Sequence, residues 1–474
     1  MRPFIKYFIT AAFIVSAVMV SAQKNKTKPN IVLIFSDDLG WTGLSCSGSK
    51  YYETPNIDKL AEGGMKFTQG YAAATVCAPS RAALMSGQYN SRNGTLRVSD
   101  VPKRINKPWL YKAIQPVNLP FSEKIVTMAE AMKQGGYETA MFGKWHINPG
   151  MPGVHGFDHW IESSGKHFGF HTSPEYNVPD SVYLSDFMAD HAIEFIKDYK
   201  DKPFFLYIPD FLVHKPHEAK QKLIKKYEKK EPVGGHHDPT YAAMTESLDF
   251  TVGRIFHTLD SLGLLDNTLI VFTSDNGAMA RTNPDGTLKK NSYTSNLPLR
   301  DGKGLMYEGG LRVPYIFYWK GKIEAGTVNN ETPVTGIDLY PTFLEIAEIP
   351  KPENQIFDGV SIAKCLFDTE FNLPERPLFW HYPNYGPASM RKGKVYYGYI
   401  PTDVLRLGDY KLIEFYHDKI DHDELYNLKD DIGERNDLSK KMPEKVKQLQ
   451  KIMHNLQKES NARMPVPNPE YDPH

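Results

Sequence analysis

Four short apolar runs, each followed at its carboxyl end by polar or charged residues, constrain this chain more than any other feature. Ile31-Val-Leu-Ile-Phe35 runs into Ser36-Asp37-Asp38, and Thr139-Ala-Met-Phe142 into Gly143-Lys144-Trp145-His146. Phe204-Phe-Leu-Tyr-Ile208 leads to His214, and Leu269-Ile-Val-Phe272 into Thr273-Ser274-Asp275-Asn276. Runs this short and this uniformly apolar read as strands buried on both faces, the kind a parallel sheet needs when helices cover it. In open sheets of that type, ligands bind beyond the carboxyl ends of the strands. The polar tails of the four runs are therefore the first candidates for function.

Helical patterns fill the intervals. Thr54-Pro55 opens a helix to Glu62 that Gly63-Gly64 stops, with Pro at the first helical position. Others are expected over Glu123 to Lys133, Leu184 to Lys200 and Tyr241 to Leu262, while Lys222 to Lys230 reads as a solvated helix face. The alternation predicts an α/β fold in which a large mixed, mostly parallel sheet is sandwiched by helices. A polar, acidic connector near Phe367 to Arg376 ends this pattern. Beyond it, Leu378-Phe-Trp380, Lys394 to Ile400, Val404-Leu-Arg406 and Tyr410-Lys-Leu-Ile413 read as short antiparallel strands, with a terminal helix over Pro443 to Lys458. The expected organisation is a signal peptide over 1–22, a catalytic domain over 23–370 and a smaller C-terminal α+β domain over 371–474.

The leader follows from a basic start at Arg2 and Lys6, an apolar stretch from Phe8 to Val20, and small residues at Val20-Ser21-Ala22. The stretch is short for a spanning helix, so cleavage should yield an exported chain with no membrane attachment, periplasmic or secreted if the source is bacterial. Lys and Arg total 56 and Asp and Glu total 56, a balance that excludes a whole-surface attraction for nucleic acid. An anionic ligand would need a local site to collect charge. The 3 cysteines, Cys46, Cys77 and Cys365, are too few for a disulfide-stapled scaffold and cannot all pair.

Cys77-Ala-Pro-Ser-Arg81 sits where Pro79 suits the first turn of a helix, so Cys77 stands at a helix amino end that favours an anion. On its own it is either a thiolate nucleophile or one end of a disulfide. Asp37 and Asp38 at one strand end, with Asp275 and Asn276 at another, offer hard oxygen donors that suit Ca²⁺ or Mg²⁺ rather than zinc. Arg81, Lys144 and Lys303, joined by His146 and His214, supply the cationic groups. With a divalent metal they outweigh three aspartates and make a pocket for a sulfate or phosphate ester.

Through these residues the chain resembles the formylglycine-dependent (type I) sulfatases of the alkaline phosphatase superfamily, nearest the arylsulfatase A and galactosamine-sulfatase type. The resemblance runs in order through Pro29-Asn30-Ile31, Asp37-Asp38, Cys77-x-Pro-Ser-Arg81, Gly143-Lys-Trp-His146 and Ser274-Asp-Asn-Gly277. It continues through Gly302-Lys-Gly304, Glu308-Gly-Gly310, Arg312-Val-Pro314 and Glu424-Leu-Tyr-Asn-Leu428. It implies an alkaline phosphatase-like fold and a Cys77 oxidised to formylglycine by a separate maturation enzyme, which leaves open whether Cys46 and Cys365 pair with each other. The hydrated aldehyde would attack sulfur, with Asp275 and later His146 taking protons and His214 and Lys303 protonating the departing alcohol. Arg81 and Lys144 would hold the diol and sulfate oxygens, while Asp37, Asp38, Cys77 as its hydrate, Asp275 and Asn276 would surround calcium.

The resemblance implies a sulfated carbohydrate as substrate, with galactose or N-acetylgalactosamine as the sulfated unit. Trp380 or Tyr385 is expected to stack on a sugar and His381 to bond a hydroxyl. His217 and His171 are further substrate-binding candidates, Lys166 and His167 lie in the same loop as His171, and His236-His237 are expected in solvent. Two other readings stand beside the first: a phosphonate or phosphate ester hydrolase of the same superfamily, and a non-enzymatic glycan-binding relative with Cys77 unmodified.

Overall fold

In the computed structural model of the chain, residues 28–98, 112–113, 120–385, 400–417 and 422–472 are described. The leader over 1–22 and residues 394–399 of one expected strand lie outside them. The four apolar runs become the Asn30–Ser36, Glu138–Gly143, Phe204–Ile208 and Thr268–Ser274 strands, adjacent in the middle of an eight-stranded sheet. Across the sheet the order is Thr327–Asn329, Met65–Phe67, Tyr315–Tyr318, Thr268–Ser274, Asn30–Ser36, Phe204–Ile208, Glu138–Gly143, His159–Glu162. All pairings are parallel except those of Tyr315–Tyr318, which runs against both its neighbours. The fold is thus the mostly parallel, mixed sheet that the sequence predicts.

Strand alternation divides the core into two layers. Val32 and Ile34 point into one with Leu206 and Ile208, while Ile31, Leu33 and Phe35 point into the other with Phe205 and Tyr207. The Leu184–Asp198 and Pro239–Ser261 helices close the first face, and the Met128–Gln134 and Leu339–Ile346 helices the second. Cys46 packs against the first layer and Cys365 lies in the second, so the sheet separates them. All three cysteines are free, and the pairing of Cys46 with Cys365 is not made.

Local chemistry moves two helix starts. The helix expected from Glu123 begins at Met128 because Thr127 caps it: the Thr127 hydroxyl accepts from Glu130 N at 3.1 Å and the Glu130 carboxylate accepts from Thr127 N at 2.7 Å. The long helix begins two residues early, at Pro239, capped by the Asp238 side chain. The lysine-rich segment is the Gln221–Tyr227 helix, with Leu223 and Tyr227 buried and Lys226 paired to Glu53 and Glu246.

Four antiparallel strands, Leu378–Tyr382, Thr402–Leu407, Tyr410–Phe415 and Glu424–Asn427, form the second large sheet. Phe379, Leu405, Leu412 and Leu425 pack under Leu449 and Met453 of the Pro443–Glu459 helix. The opposite face, with Trp380, Val404, Ile413 and Tyr426, packs on Tyr71, Leu305, Tyr307 and Leu311. This contact brings the end of the Leu378–Tyr382 strand to the carboxyl edge of the parallel sheet.

Candidate active site

Parallel register builds the centre of the site. Asn30–Ser36 pairs with Thr268–Ser274 so that Ser36 stands opposite Ser274, and the next residue of each strand, Asp37 and Asp275, leaves the same sheet edge side by side. Asp275 N donates to Ser36 O at 3.0 Å. Asp38 turns back through a left-handed φ of 64°, its N–H donating to Asp275 Oδ1 at 3.1 Å and its Oδ1 accepting from Asn276 Nδ2 at 2.8 Å. Gly143 supports the next strand end at a φ of 138°, where an added Cβ would lie 2.1 Å from Pro209 O. Lys144 follows it.

Basic side chains meet these carboxylates without solvent between them. Lys144 Nζ lies 2.5 Å from Asp37 Oδ2, Arg81 NH2 2.8 Å from Asp275 Oδ2, and Lys303 Nζ 2.6 Å from Asp38 Oδ1. Arg81 also donates to Lys144 O at 2.8 Å, which ties the cysteine helix to the strand end. Cys77 is the first residue of the Cys77–Ser86 helix, every residue of which is buried. Its Sγ lies 3.5 Å from Asp37 Oδ1 and 3.3 Å from Lys303 Nζ. His214 Nδ1 faces Lys215 O at 2.6 Å, leaving Nε2 3.8 Å from Asp38 Oδ2.

The electrostatics separate the groups by role. Burial raises the pKa of the Asp37 carboxyl, but Lys144, His214, Arg81 and Lys303 together win and hold it well below the usual range. Asp275 is pushed up to about 7 by burial and by the charge of Asp37, against the pull of Arg81. Burial and then Asp37 push the Cys77 thiol up to about 12, and Lys303 and Lys144 do not reverse it. A thiol so placed is not a thiolate at neutral pH, so unmodified Cys77 is a poor nucleophile despite its helix-start position. His146 is pushed down to about 3 by burial, Lys144 and Arg81, and is therefore neutral.

Two buried atoms here have no hydrogen-bond partner, Asn276 Oδ1 and His146 Nδ1. Ligand atoms of Asp37, Asp38, Cys77 and His214 all lie within 4.8 Å of one another. An orphaned amide oxygen beside three carboxylates is a donor set of hard oxygens, and it fits a divalent cation such as calcium. Asp37, Asp38, Asp275 and Asn276 would hold it, with the Cys77 position beside them.

The site opens into a cleft of about 660 Å³, lined by Cys77, Lys144, His146, His214 and Lys303 at its base. Of the substrate candidates, Tyr385 lines the cleft. Trp380 and His381 do not. The Trp380 indole is buried between the two sheets with Nε1 donating to Ala72 O at 2.9 Å, and the His381 ring faces the other way, fully buried, 2.6 Å from Asp403 Oδ1. Strand alternation explains both: Leu378, Trp380 and Tyr382 share the face toward the site, Trp380 is spent on packing, and Tyr382 at the strand end reaches the cleft. His217 is wedged edge-on between Tyr241 and Tyr293 and His171 is exposed; neither lines the cleft. His167 is buried against Phe211, its Nε2 donating to His214 O at 2.8 Å. His236, expected in solvent, is buried against Tyr52 and Thr294.

Sequence reasoning missed Arg97, Lys215, Arg281 and Asn384 on the cleft wall. All come from loops, and no periodicity marks them.

Known proteins resemble this chain along most of its length. A family profile described as Sulfatase matches residues 29–349, and one described as N-sulphoglucosamine sulphohydrolase, C-terminal, matches residues 301–462. The chain is 34% identical to a protein named Sulfatase from Formosa agariphila, across 94% of this chain and 90% of that one. It is 31% identical to the N-acetylgalactosamine-6-sulfatase of Mus musculus, across 78% of this chain and 72% of that one. Among solved structures it resembles Ps i-CgsB in complex with k-i-k-neocarrahexaose, with a TM-score of 0.75, 28% identity, and coverage of 91% of this chain and 93% of that one.

Proposed function

Because this chain belongs to the sulfatase family of the alkaline phosphatase superfamily and is a sulfuric ester hydrolase, we propose that it desulfates a glycan outside the cytoplasm through a formylglycine made from Cys77. The sulfated unit is a galactose or N-acetylgalactosamine, a reading supported by the name of the murine N-acetylgalactosamine-6-sulfatase, and the neocarrahexaose bound to Ps i-CgsB supports a carbohydrate substrate. The leader over residues 1–22 directs the chain out of the cytoplasm, and a separate maturation enzyme converts Cys77. Among the described residues no helix is long and apolar enough to cross a membrane.

The observation that carries the proposal is the state of Cys77. At the first position of a buried helix, 3.3 Å from Lys303 Nζ and 3.5 Å from Asp37 Oδ1, the Cys77 position faces the base of the cleft, and burial with Asp37 pushes its thiol up, away from the thiolate, whereas an oxygen nucleophile made there would meet the same groups. When present, the cation and the hydrated aldehyde supply electrophilic polarisation of the sulfate and that oxygen nucleophile. The remaining work falls to the side chains. Lys144 and Lys303 line the base of the cleft and hold the transferring oxygens, where donors fixed in a dry site need no reorganisation. Arg81 holds Asp275 and Lys144 in place. Lys303, held cationic by Asp38 beside it, gives the departing alcohol its proton, with His214 positioned next to it by the bond from Nδ1–H to Lys215 O. His146, neutral because of its burial, takes a proton in the step that restores the enzyme.

The test is turnover of matched aryl sulfate, phosphate and phosphonate esters by protein from a host that matures it, with the mass of the Cys77 peptide read in parallel. Sulfate ester turnover should dominate and the peptide should carry the aldehyde. Faster phosphoester turnover, or an active protein with an unmodified thiol, would overturn the proposal.

A further inference from the structure

The Phe204–Ile208 strand leads into the segment that carries His214, and that segment is held in two different ways. Up to Val213 it is tied to the sheet edge by main-chain bonds: Asp37 N donates to Leu212 O at 2.8 Å and Val213 N to Asp37 O at 2.7 Å. The Asp210 carboxylate accepts from Leu212 N at 2.9 Å and from the Ser185 hydroxyl at 2.5 Å. At His214 the hold passes to a side chain from a separate loop, because His167 Nε2–H donates to His214 O at 2.8 Å. The following carbonyl, Lys215 O, accepts from His214 Nδ1–H at 2.6 Å. Fixing the peptide that joins His214 to Lys215 therefore also steadies the carbonyl that orients the imidazole.

His167 is itself immobilised. It is fully buried, its ring stacked on both Phe211, at a centroid distance of 4.8 Å, and Tyr183, at 5.8 Å. Its main-chain N–H donates to Glu218 Oε2 at 3.1 Å and its carbonyl accepts from Leu184 N at 2.9 Å. Phe211 also meets the His214 ring at 5.0 Å and carries Lys144 Nζ 5.5 Å over its face. Burial pushes the His167 imidazole down to about 4, against the pull of the bond to His214 O, so the ring is neutral with its one proton on Nε2. Its Nδ1 has no hydrogen-bond partner among the described residues. A residue kept for packing alone would avoid that cost, since a phenylalanine offers the same ring with no buried nitrogen to desolvate. What the imidazole adds is the Nε2–H bond.

We infer that His167 is a positioning residue of the reaction: through the carbonyl of His214 it keeps that imidazole at Asp38, beside the Lys303 ammonium that protonates the departing alcohol. His214 Nε2 lies 3.8 Å from Asp38 Oδ2, and Lys303 Nζ lies 2.6 Å from Asp38 Oδ1. Proton delivery needs a donor within about 3 Å of the departing oxygen, so a His214 segment left free loosens the geometry at that end of the ester first. The inference rests on the sulfatase reading above and deepens it.

The dependence of rate on the departing oxygen tests it. A nitrophenyl sulfate releases a weakly basic oxygen that needs little help from a proton, phenyl sulfate a more basic one, and a sulfated N-acetylgalactosamine a strongly basic one. For each variant of the mature enzyme, kcat on the sugar sulfate is divided by kcat on the nitrophenyl sulfate in the same sample. That ratio is independent of how much protein is folded and of how much Cys77 has been converted. In His167→Phe, which keeps a ring against Phe211 and Tyr183 but has no donor, the ratio should fall about 10-fold or more, with KM for the sugar within about threefold of the wild type. His167→Gln, whose amide can donate to His214 O, should keep the ratio within about threefold of the wild type. An unchanged ratio in His167→Phe, or equal losses on every substrate in both variants, would leave His167 as packing and overturn the inference. A wild type that cleaves the aryl sulfates and no sugar sulfate would instead overturn the carbohydrate reading, and phenyl sulfate then takes the place of the sugar in the ratio that decides for or against His167.

Discussion

Two clusters of buried charge flank the same stretch of chain, Lys303 to Arg312, and they differ in what they leave unsatisfied. The first is the catalytic centre. The second joins the two large sheets: Lys411 Nζ lies 3.0 Å from Glu308 Oε1 and 2.7 Å from Glu434 Oε1, and Arg312 Nε lies 3.0 Å from Glu308 Oε2. Tyr71 OH donates to Glu308 Oε2 at 2.8 Å and accepts from Arg312 at 3.0 Å and Arg406 at 2.6 Å. Each acid of the second cluster has a basic partner, and Glu434 also accepts from Glu308 N at 2.6 Å. Glu434 Oε1 makes no aligned hydrogen bond but has the Lys411 ammonium at 2.7 Å, whereas in the first cluster Asn276 Oδ1 and His146 Nδ1 have no hydrogen-bond partner among the described residues, and the cluster opens on a cleft. Buried charge alone does not mark a site; buried charge with open coordination and an entrance does.

The largest contrast should come from removing one group at each place. Cys77→Ala should reduce sulfate release by about 10⁴-fold or more, since the nucleophile is lost. It should change unfolding free energy by no more than about 1 kcal/mol, because little volume is removed. Lys411→Met should do the reverse. It leaves Glu434 without its cation and Glu308 with Arg312 alone, and breaking a buried pair costs about 3–5 kcal/mol. Activity per folded molecule should stay within about twofold. Urea unfolding paired with single-substrate kinetics checks both, and a Lys411→Met enzyme that is stable but inactive would erase the distinction.

Chelation probes the open coordination. Stripping divalent cations should abolish sulfate release and lower stability by about 3 kcal/mol, the contribution of a cation present at about a hundred times its dissociation constant. Calcium should restore both. Cys77→Ala, which keeps the four oxygen-donor residues, should still be stabilised by calcium in a thermal melt. A melt indifferent to calcium would remove the aspartates from the metal role.

What the sequence disclosed divides along the same line. The four central strands and both acidic strand ends are legible because burial on both faces demands apolar runs, and parallel register then carries their ends to one edge. Asp37 and Asp275 meet for that reason alone. The antiparallel sheet was legible in three of its four strands; Glu424–Asn427 stood out as a motif and not as a strand, being only four residues long. Trp380 and His381 were misplaced because an aromatic on a strand can serve the core or the cleft, and only the packing of the two sheets decides which. Arg97, Lys215 and Arg281 were invisible because loops carry no period. The Glu308 and Glu434 cluster went unread as well, since its members lie in segments brought together only by the docking of the sheets.

The smallest effect is also the finest test of how the second cluster divides its cations. Glu308 is held down to about 2, because Lys411, Arg312 and Arg406 together outweigh its burial. Glu434, closer to Lys411 at 2.7 Å but paired to no arginine among the described residues, is pushed up to about 7 by burial and by Glu308. The two acids should therefore act on stability with opposite slopes. A lowered carboxyl contributes stability that is present above the unfolded value and is lost as pH falls through the folded one, so Glu308→Gln should be destabilising at neutral pH and converge on the wild type toward pH 2. A raised carboxyl does the opposite. Its charged form opposes folding, so the wild type should lose stability relative to Glu434→Gln as pH climbs from 4.5 to about 7. A tenfold difference in proton affinity between the folded and unfolded chain is worth about 1.4 kcal/mol, so after relaxation around Lys411 the change across that window should be on the order of 2 kcal/mol. Urea midpoints for the wild type and both variants, taken at several pH values across this range, measure the two slopes directly. Slopes of the same sign would mean that Lys411 is shared equally and that the arginines beside Tyr71 do not favour Glu308.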